Sequence, residues 1–168
     1  MQPTEIGESF AGEAAEAAHV NTVLGSRDGP VGTAWATALA TPRAGHSAFV
    51  TLLRPNLPVK PLTLFVNKAA IADEQHGNLT WGAAQAGVAG GVADAVADGV
   101  ISAQDAENLL LIAAVWVNPA ARDAGLVYRN NRMATRRALE NGASGTPKVT
   151  DTLAARHAPA NPFFTPAT

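Results

Sequence analysis

Residues 46–70 read HSAFVTLLRPNLPVKPLTLFVNKAA, and this stretch decides the fold. Two apolar runs within it, 48–53 and 62–67, are rich in Val, Phe, Thr and Leu. These residues suit a pleated surface, and both runs have the length of strands. Between them stand Pro55, Pro58 and Pro61. Each lacks an N–H and pushes the residue before it towards extended geometry, so no helix forms there and central-strand pairing is opposed. The expectation is two strands in the middle of a sheet. Lys68, a cation set against apolar sequence, then belongs to a site at the end of that sheet.

Upstream, residues 5–12 alternate weakly, as an edge strand does, and 18–24 read as a strand stopped by Gly25. A period of two puts His19, Asn21 and Val23 on one face, and Val20, Thr22 and Leu24 on the other. Pro30 suits the first position of a helix running to about Ala40, with Trp35 and Leu39 on one side and Pro42 as its stop. Downstream, 82–98 is the clearest helix: Val88, Val92 and Val96 recur every fourth residue, and Gly99 follows as a C-terminal cap. Gly87, Gly90 and Gly91 each cost that helix roughly 1 kcal/mol relative to alanine, a penalty best tolerated where backbone packs on backbone. Residues 109–117, LLLIAAVWV, read as a strand covered on both faces. A last helix over about 125–141 carries Leu126, Met133 and Leu139 among arginines. This order of elements gives an α+β fold, a mixed sheet with helices packed on one face. Residues 1–142 form the folded unit. Pro147, Pro159, Pro162 and Pro166 mark 143–168 as an extended or disordered tail.

The chain of 168 residues is 47% hydrophobic but only 5% aromatic. A core built from small side chains must be tightly layered or completed by neighbouring subunits. A formal charge of −2 argues against nucleic acid as a partner, since phosphate binding needs clustered cations. With no cysteine, disulfides and thiolate metal sites are excluded. No signal-like pattern opens the sequence and no apolar run approaches ~20 residues, so the expectation is a cytoplasmic protein without a membrane span.

No phosphate-binding loop, dinucleotide fingerprint, nucleophile elbow or zinc-protease motif is present. The four histidines lack metal-ligand spacing, so no metal site is expected. His19 stands out, beside Asn21 at the start of a strand, although a lone strand histidine is more often structural than catalytic. By default Lys68 points into water and Gln85 faces solvent from an alanine-rich helix. Pattern alone does not join these three.

Gly7-Glu8, Ala18-His19-Val20, Leu53 with Pro55-Asn56-Leu57-Pro58 and Lys60-Pro61, Asn67-Lys68, Gly82 with Ala84-Gln85, and Val92-Ala93-Asp94-Ala95-Val96 stand in an order that resembles the formaldehyde-activating enzyme family. The resemblance covers about 7–141. It implies a lyase of the hydro-lyase type in one-carbon metabolism and formaldehyde detoxification. The reaction is condensation of formaldehyde with tetrahydromethanopterin to methylene-tetrahydromethanopterin and water. No cofactor is bound, the reduced pterin being a co-substrate. The implied fold is that of the second domain of ribosomal protein S5, in a homopentamer with sites between subunits. By the same resemblance His19 is the general acid, and Lys68 and Gln85 contact the pterin. Three further contact positions depart from the pattern: Asn21 where aspartate is usual, Val50 where leucine is usual, and Ala70 where threonine is usual.

The chemistry makes Asn21 the telling departure. An amine of the pterin adds to formaldehyde, and the hydroxyl of the resulting carbinolamine leaves better once protonated, a task that suits histidine. A neighbouring carboxylate favours the charged imidazole; a neutral amide does not. Asn21 is therefore expected to cut the acid form of His19 several-fold and weaken or retune the activity. The alternatives are a non-catalytic paralogue that binds a pterin or formaldehyde as sensor or carrier, and a condensing enzyme for another aldehyde and amine.

Overall fold

The structure is a computed structural model that describes residues 3–161 and 164–166. Its centre is a five-stranded mixed sheet. Strand β1 (Glu5–Ala11) pairs antiparallel with β2 (Ala18–Ser26). On its other edge β2 pairs antiparallel with β7 (Leu109–Trp116), which runs parallel to β6 (Leu62–Asn67). The short β3 (Phe49–Val50) closes the far edge against β6, giving the order β1-β2-β7-β6-β3. This is the α+β architecture that the pattern of elements predicts.

The proline-rich link departs from the expectation in detail. The first apolar run is not a central strand. It is divided between β3, at the sheet edge, and β4 (Leu52–Arg54), which pairs with β5 (Leu57–Pro58) in a separate two-stranded ribbon. Asn56 turns that ribbon at φ 65°, a left-handed conformation that asparagine tolerates better than most residues. The prolines thus bar the link from the main sheet, and only β6 enters its interior.

Helix α1 (Pro30–Ala40) opens on proline as expected, but Val31 is its buried residue and Leu39 is exposed. Val31 packs against Gly25, where a Cβ would come within 2.7 Å of its methyl. Short helix α2 (Glu74–Asn78), capped by Asp73, runs through a π-helical segment (Leu79–Ala84) into α3 (Gln85–Ala97). Val88 and Val92 of α3 are fully buried, and Gly99 ends the helix at φ 78°.

Helix α4 (Ala124–Ser144) packs against α3, β1 and β2. Here the glycines meet backbone: a Cβ at Gly87 or Gly91 would stand 2.5 Å from the carbonyl oxygen of Tyr128 or Arg132. At Gly7 it would stand 1.8 Å from that of Ala138, so β1 and α4 are equally close. Such approach leaves no room for long side chains between the layers. The buried face of α4 is therefore Val127, Asn131, Ala134, Ala138 and Leu139, whereas Leu126 and Met133 lie 37% and 38% exposed.

Strand β7 is covered on both faces only as far as Leu111. Beyond it Ile112, Ala114 and Trp116 are half-buried, while Ala113 and Val115 face the core with Val20, Phe65, Val88 and Val92. One face of the sheet is thus open near the start of β2. Within 143–168, where extended chain is expected, residues Val149–Ala155 form a short exposed helix, α5. Of that stretch, 162–163 and 167–168 lie outside the described residues. Among the described residues, no helix is long and apolar enough to cross a membrane.

Candidate active site

The ladder of the sheet builds the site. Phe10, His19 and Trp116 are register partners across β1, β2 and β7, so their side chains form one row on the open face. Glu8, Asn21 and Ala114 form the next row. Lys68 lies one residue past the pair Asn67–Val115, and its N–H donates to the Val115 carbonyl at 2.7 Å. It therefore stands level with Trp116 and points to the same face. Phe10, His19, Asn21, Lys68 and Trp116 line a cavity of about 290 Å³.

Within it the polar atoms form a chain. Lys68 Nζ donates to Asn21 Oδ1 at 2.7 Å and to His19 Nδ1 at 2.9 Å. His19 Nε2 lies 2.9 Å from Glu8 Oε1. The partners dictate the tautomer. A carboxylate only accepts and an ammonium only donates, so Nε2 carries the hydrogen and Nδ1 presents its lone pair to Lys68. Phe10 stacks on the imidazole at 3.9 Å between centroids and 1° between planes, which fixes the ring's orientation.

This setting shifts both bases. Burial and the charge of Lys68 push His19 below its usual range, and the attraction and hydrogen bond of Glu8 only partly oppose them. Burial lowers Lys68 to about 8, with the Glu8 charge working the other way. At rest the imidazole is neutral and the amine titrates close to physiological pH.

Three of the residues singled out from sequence thus meet: His19, Asn21 and Lys68. Gln85 and Val50 do not join them in the same chain. They line a larger apolar cavity of about 470 Å³ beside the β4–β5 ribbon, with Phe49, Leu52 and Trp81. There Gln85, at the start of α3, accepts a hydrogen bond from the Leu52 backbone N–H instead of facing solvent. Ala70 is exposed beside Gly45 and lines neither cavity. Two further parts of this constellation were not singled out as site residues from sequence: Glu8, quoted only within the Gly7-Glu8 motif, and the Phe10–Trp116 pair. The signal for them was the alternation of β1, which sets Glu8 and Phe10 on one face once the β1–β2 pairing is known. Among the described residues no three carboxylates or histidines are grouped to hold a metal ion.

The profile of one family, described as "Formaldehyde-activating enzyme (Fae)", matches residues 6–164. A "Bifunctional enzyme Fae/Hps" of Methanococcoides burtonii is 43% identical over 148 residues, spanning 88% of this chain and 37% of that protein. A "5,6,7,8-tetrahydromethanopterin hydro-lyase" of Methanosarcina barkeri is 39% identical over 158 residues, spanning 94% of this chain and 89% of that protein. A bifunctional relative from Archaeoglobus fulgidus is 38% identical over 158 residues. The chain therefore spans well under half the length of the bifunctional relatives, and nearly the full length of the hydro-lyase.

Proposed function

The chain belongs to the formaldehyde-activating enzyme family, and from that membership we propose that it condenses formaldehyde with tetrahydromethanopterin, releasing water. The observation that carries this reading is the direct contact of Lys68 and His19 inside a small open cavity. Formaldehyde fits such a space, with Phe10 and Trp116 as its aromatic walls.

In this reading an amine of the pterin attacks the aldehyde carbon, and His19 hands a proton to the departing hydroxyl. The second pterin nitrogen then closes the methylene bridge. Lys68 and Asn21 hold the oxygen and the ring edge. The neutral resting state of His19 requires that it be charged before it acts as an acid, and Lys68, 2.9 Å from Nδ1, is the adjacent donor. The amide at position 21 bonds Lys68 and not His19, so its effect falls on the amine.

The separation of His19 and Lys68 from Gln85 and Val50 supports a site completed between protomers, the second cavity of one subunit facing the first cavity of its neighbour. Exposed Leu52, Leu53 and Trp81 at the second cavity, exposed Leu57 on the adjoining β4–β5 ribbon, and the open face of β7 favour such an assembly. The resemblance gives it as a cytoplasmic homopentamer. On the same reading 1–142 is the catalytic unit and 143–168 an appendage to it. Incubating the purified chain with formaldehyde and tetrahydromethanopterin, and following methylene-pterin formation, tests the proposal. Pterin binding without turnover would point instead to a carrier or sensor.

A further inference from the structure

Lys68, His19 and Glu8 stand as nucleophile, base and orienting carboxylate, and we propose that Lys68 captures the aldehyde covalently before the pterin receives its carbon. This rests on formaldehyde being the substrate. The signature of an activated nucleophile is a base within hydrogen-bond reach, itself held by a third group. Here the base lies 2.9 Å from the amine and the carboxylate 2.9 Å from the far side of the ring. The stacked Phe10 ring prevents the imidazole from turning away.

What distinguishes this lysine is its company. Among the described residues no carboxylate lies within ion-pair distance of Lys68; its two acceptors, Asn21 Oδ1 and His19 Nδ1, are both neutral groups. Lys60, by contrast, is paired with Glu107 at 2.7 Å, and Lys148, although its acceptor, the Ser144 carbonyl, is also neutral, lies exposed. An aspartate at position 21 would lock the ammonium as an ion pair. The amide satisfies a hydrogen of the ammonium without tying up its charge, so deprotonation remains cheap. Burial lowers the amine's affinity for its proton in the same direction.

The step balances without any further reactant. His19 Nδ1 first takes a proton from the Lys68 ammonium. The freed Nζ lone pair then adds to the aldehyde carbon, the carbonyl electrons go to oxygen, and an N–H proton of the adduct moves to that oxygen to give the neutral carbinolamine. The carbinolamine's C–O bond then breaks. The imidazolium returns its proton to the leaving hydroxide, and water departs from a lysine iminium. An amine of the pterin adds to that carbon, and the C–N bond to Lys68 breaks to release the free lysine. His19 thus serves first as base and then as acid, which resolves how a neutral imidazole comes to hold the proton it delivers.

The chain has only three lysines, so the test carries its own references. The full chain is treated with ¹³C-formaldehyde and limiting cyanoborohydride at about pH 7.5, and methylation of each lysine is followed by peptide mass spectrometry. At that pH an amine with a pKa of about 8 is roughly a quarter neutral, against about 0.1% for an ordinary lysine. Lys68 is expected to label at least ~10-fold faster than Lys60 and Lys148, allowing for the weaker nucleophilicity of a less basic amine. Removal of the base in His19→Ala is expected to cut that lead several-fold. Labelling of Lys68 no faster than of Lys60, or an unchanged lead in His19→Ala, overturns the inference. As a second readout, Lys68→Arg keeps the cation but offers no nucleophile, so kcat for condensation is expected to fall ~10²-fold or more with little change in KM for the pterin. An undiminished kcat overturns it. A chain that labels selectively yet forms no methylene-pterin sustains the capture and defeats the pterin reading. One that condenses the two substrates without selective labelling does the reverse.

Discussion

The ammonium of Lys68 donates to the side-chain oxygen of Asn21 across 2.7 Å, and this contact joins the end of β6 to the middle of β2 over the intervening strand β7. Position 21 therefore serves Lys68 as a hydrogen-bond acceptor. Its charge is a separate variable, and it governs the amine more directly than the imidazole.

Asn21→Asp supplies that charge. A carboxylate at hydrogen-bond distance raises the affinity of an amine for its proton, typically by about a pH unit or more. The acidic limb of the rate profile, set by deprotonation of Lys68 near about 8, is expected to move upward, and the rate at neutral pH to fall. The pH dependence of kcat/KM measures this. An unmoved limb would detach the rate from Lys68. Sequence reasoning, with His19 as the only neighbour, leads to the opposite sign.

Lys68 also leaves a mark on stability. Its pKa is lowered from 10.5 to about 8 in the fold, so the unfolded chain binds more protons between those values, and stability rises as pH climbs through that window. Lys68→Met lacks this term. The melting-temperature advantage of the variant over the parent chain is expected to be largest near about pH 7 and to shrink by about pH 10. A difference that stays constant over that range contradicts the account.

The α3–α4 contact is expected to tolerate no added methyl. In Gly87→Ala a Cβ would sit 2.5 Å from the Tyr128 carbonyl oxygen, closer than any such contact survives. One helix must shift, and overpacking of this kind costs about 1–3 kcal/mol, less the roughly 1 kcal/mol that alanine gains in helix propensity. Urea unfolding with a lowered midpoint checks it; an unchanged or raised midpoint would show that the helices can part freely.

If the two cavities meet across protomers, inactive variants complement one another. His19→Ala and Gln85→Ala, each impaired alone, are expected to recover about a quarter of the parent rate when co-assembled at equal amounts, because a random ring restores that share of its interfaces. No recovery in assemblies shown to be mixed would place the whole site within one chain.

The sequence made the strands, the main helices and the packing role of Gly87 and Gly91 legible, because period and glycine spacing are local signals. It also placed His19 and Asn21 on one face. It did not divide 48–53 into an edge strand and a ribbon, since prolines report where pairing is barred and not which neighbour takes over. It named Leu126, Met133 and Leu139 as the apolar residues of α4 without assigning a buried face; only Leu139 is inside, because close approach at glycines favours alanine there and leaves Leu126 and Met133 partly exposed. Glu8 remained silent for a similar reason. Its role follows from register with β2, a relation between strands that no single strand displays.

The most direct test of the account is the rate at which the purified chain converts formaldehyde and tetrahydromethanopterin to the methylene compound, beside a protein-free control and His19→Ala. The account expects a rate well above the control that drops by about 10²-fold or more in the variant. A parent rate equal to that of the control would contradict it.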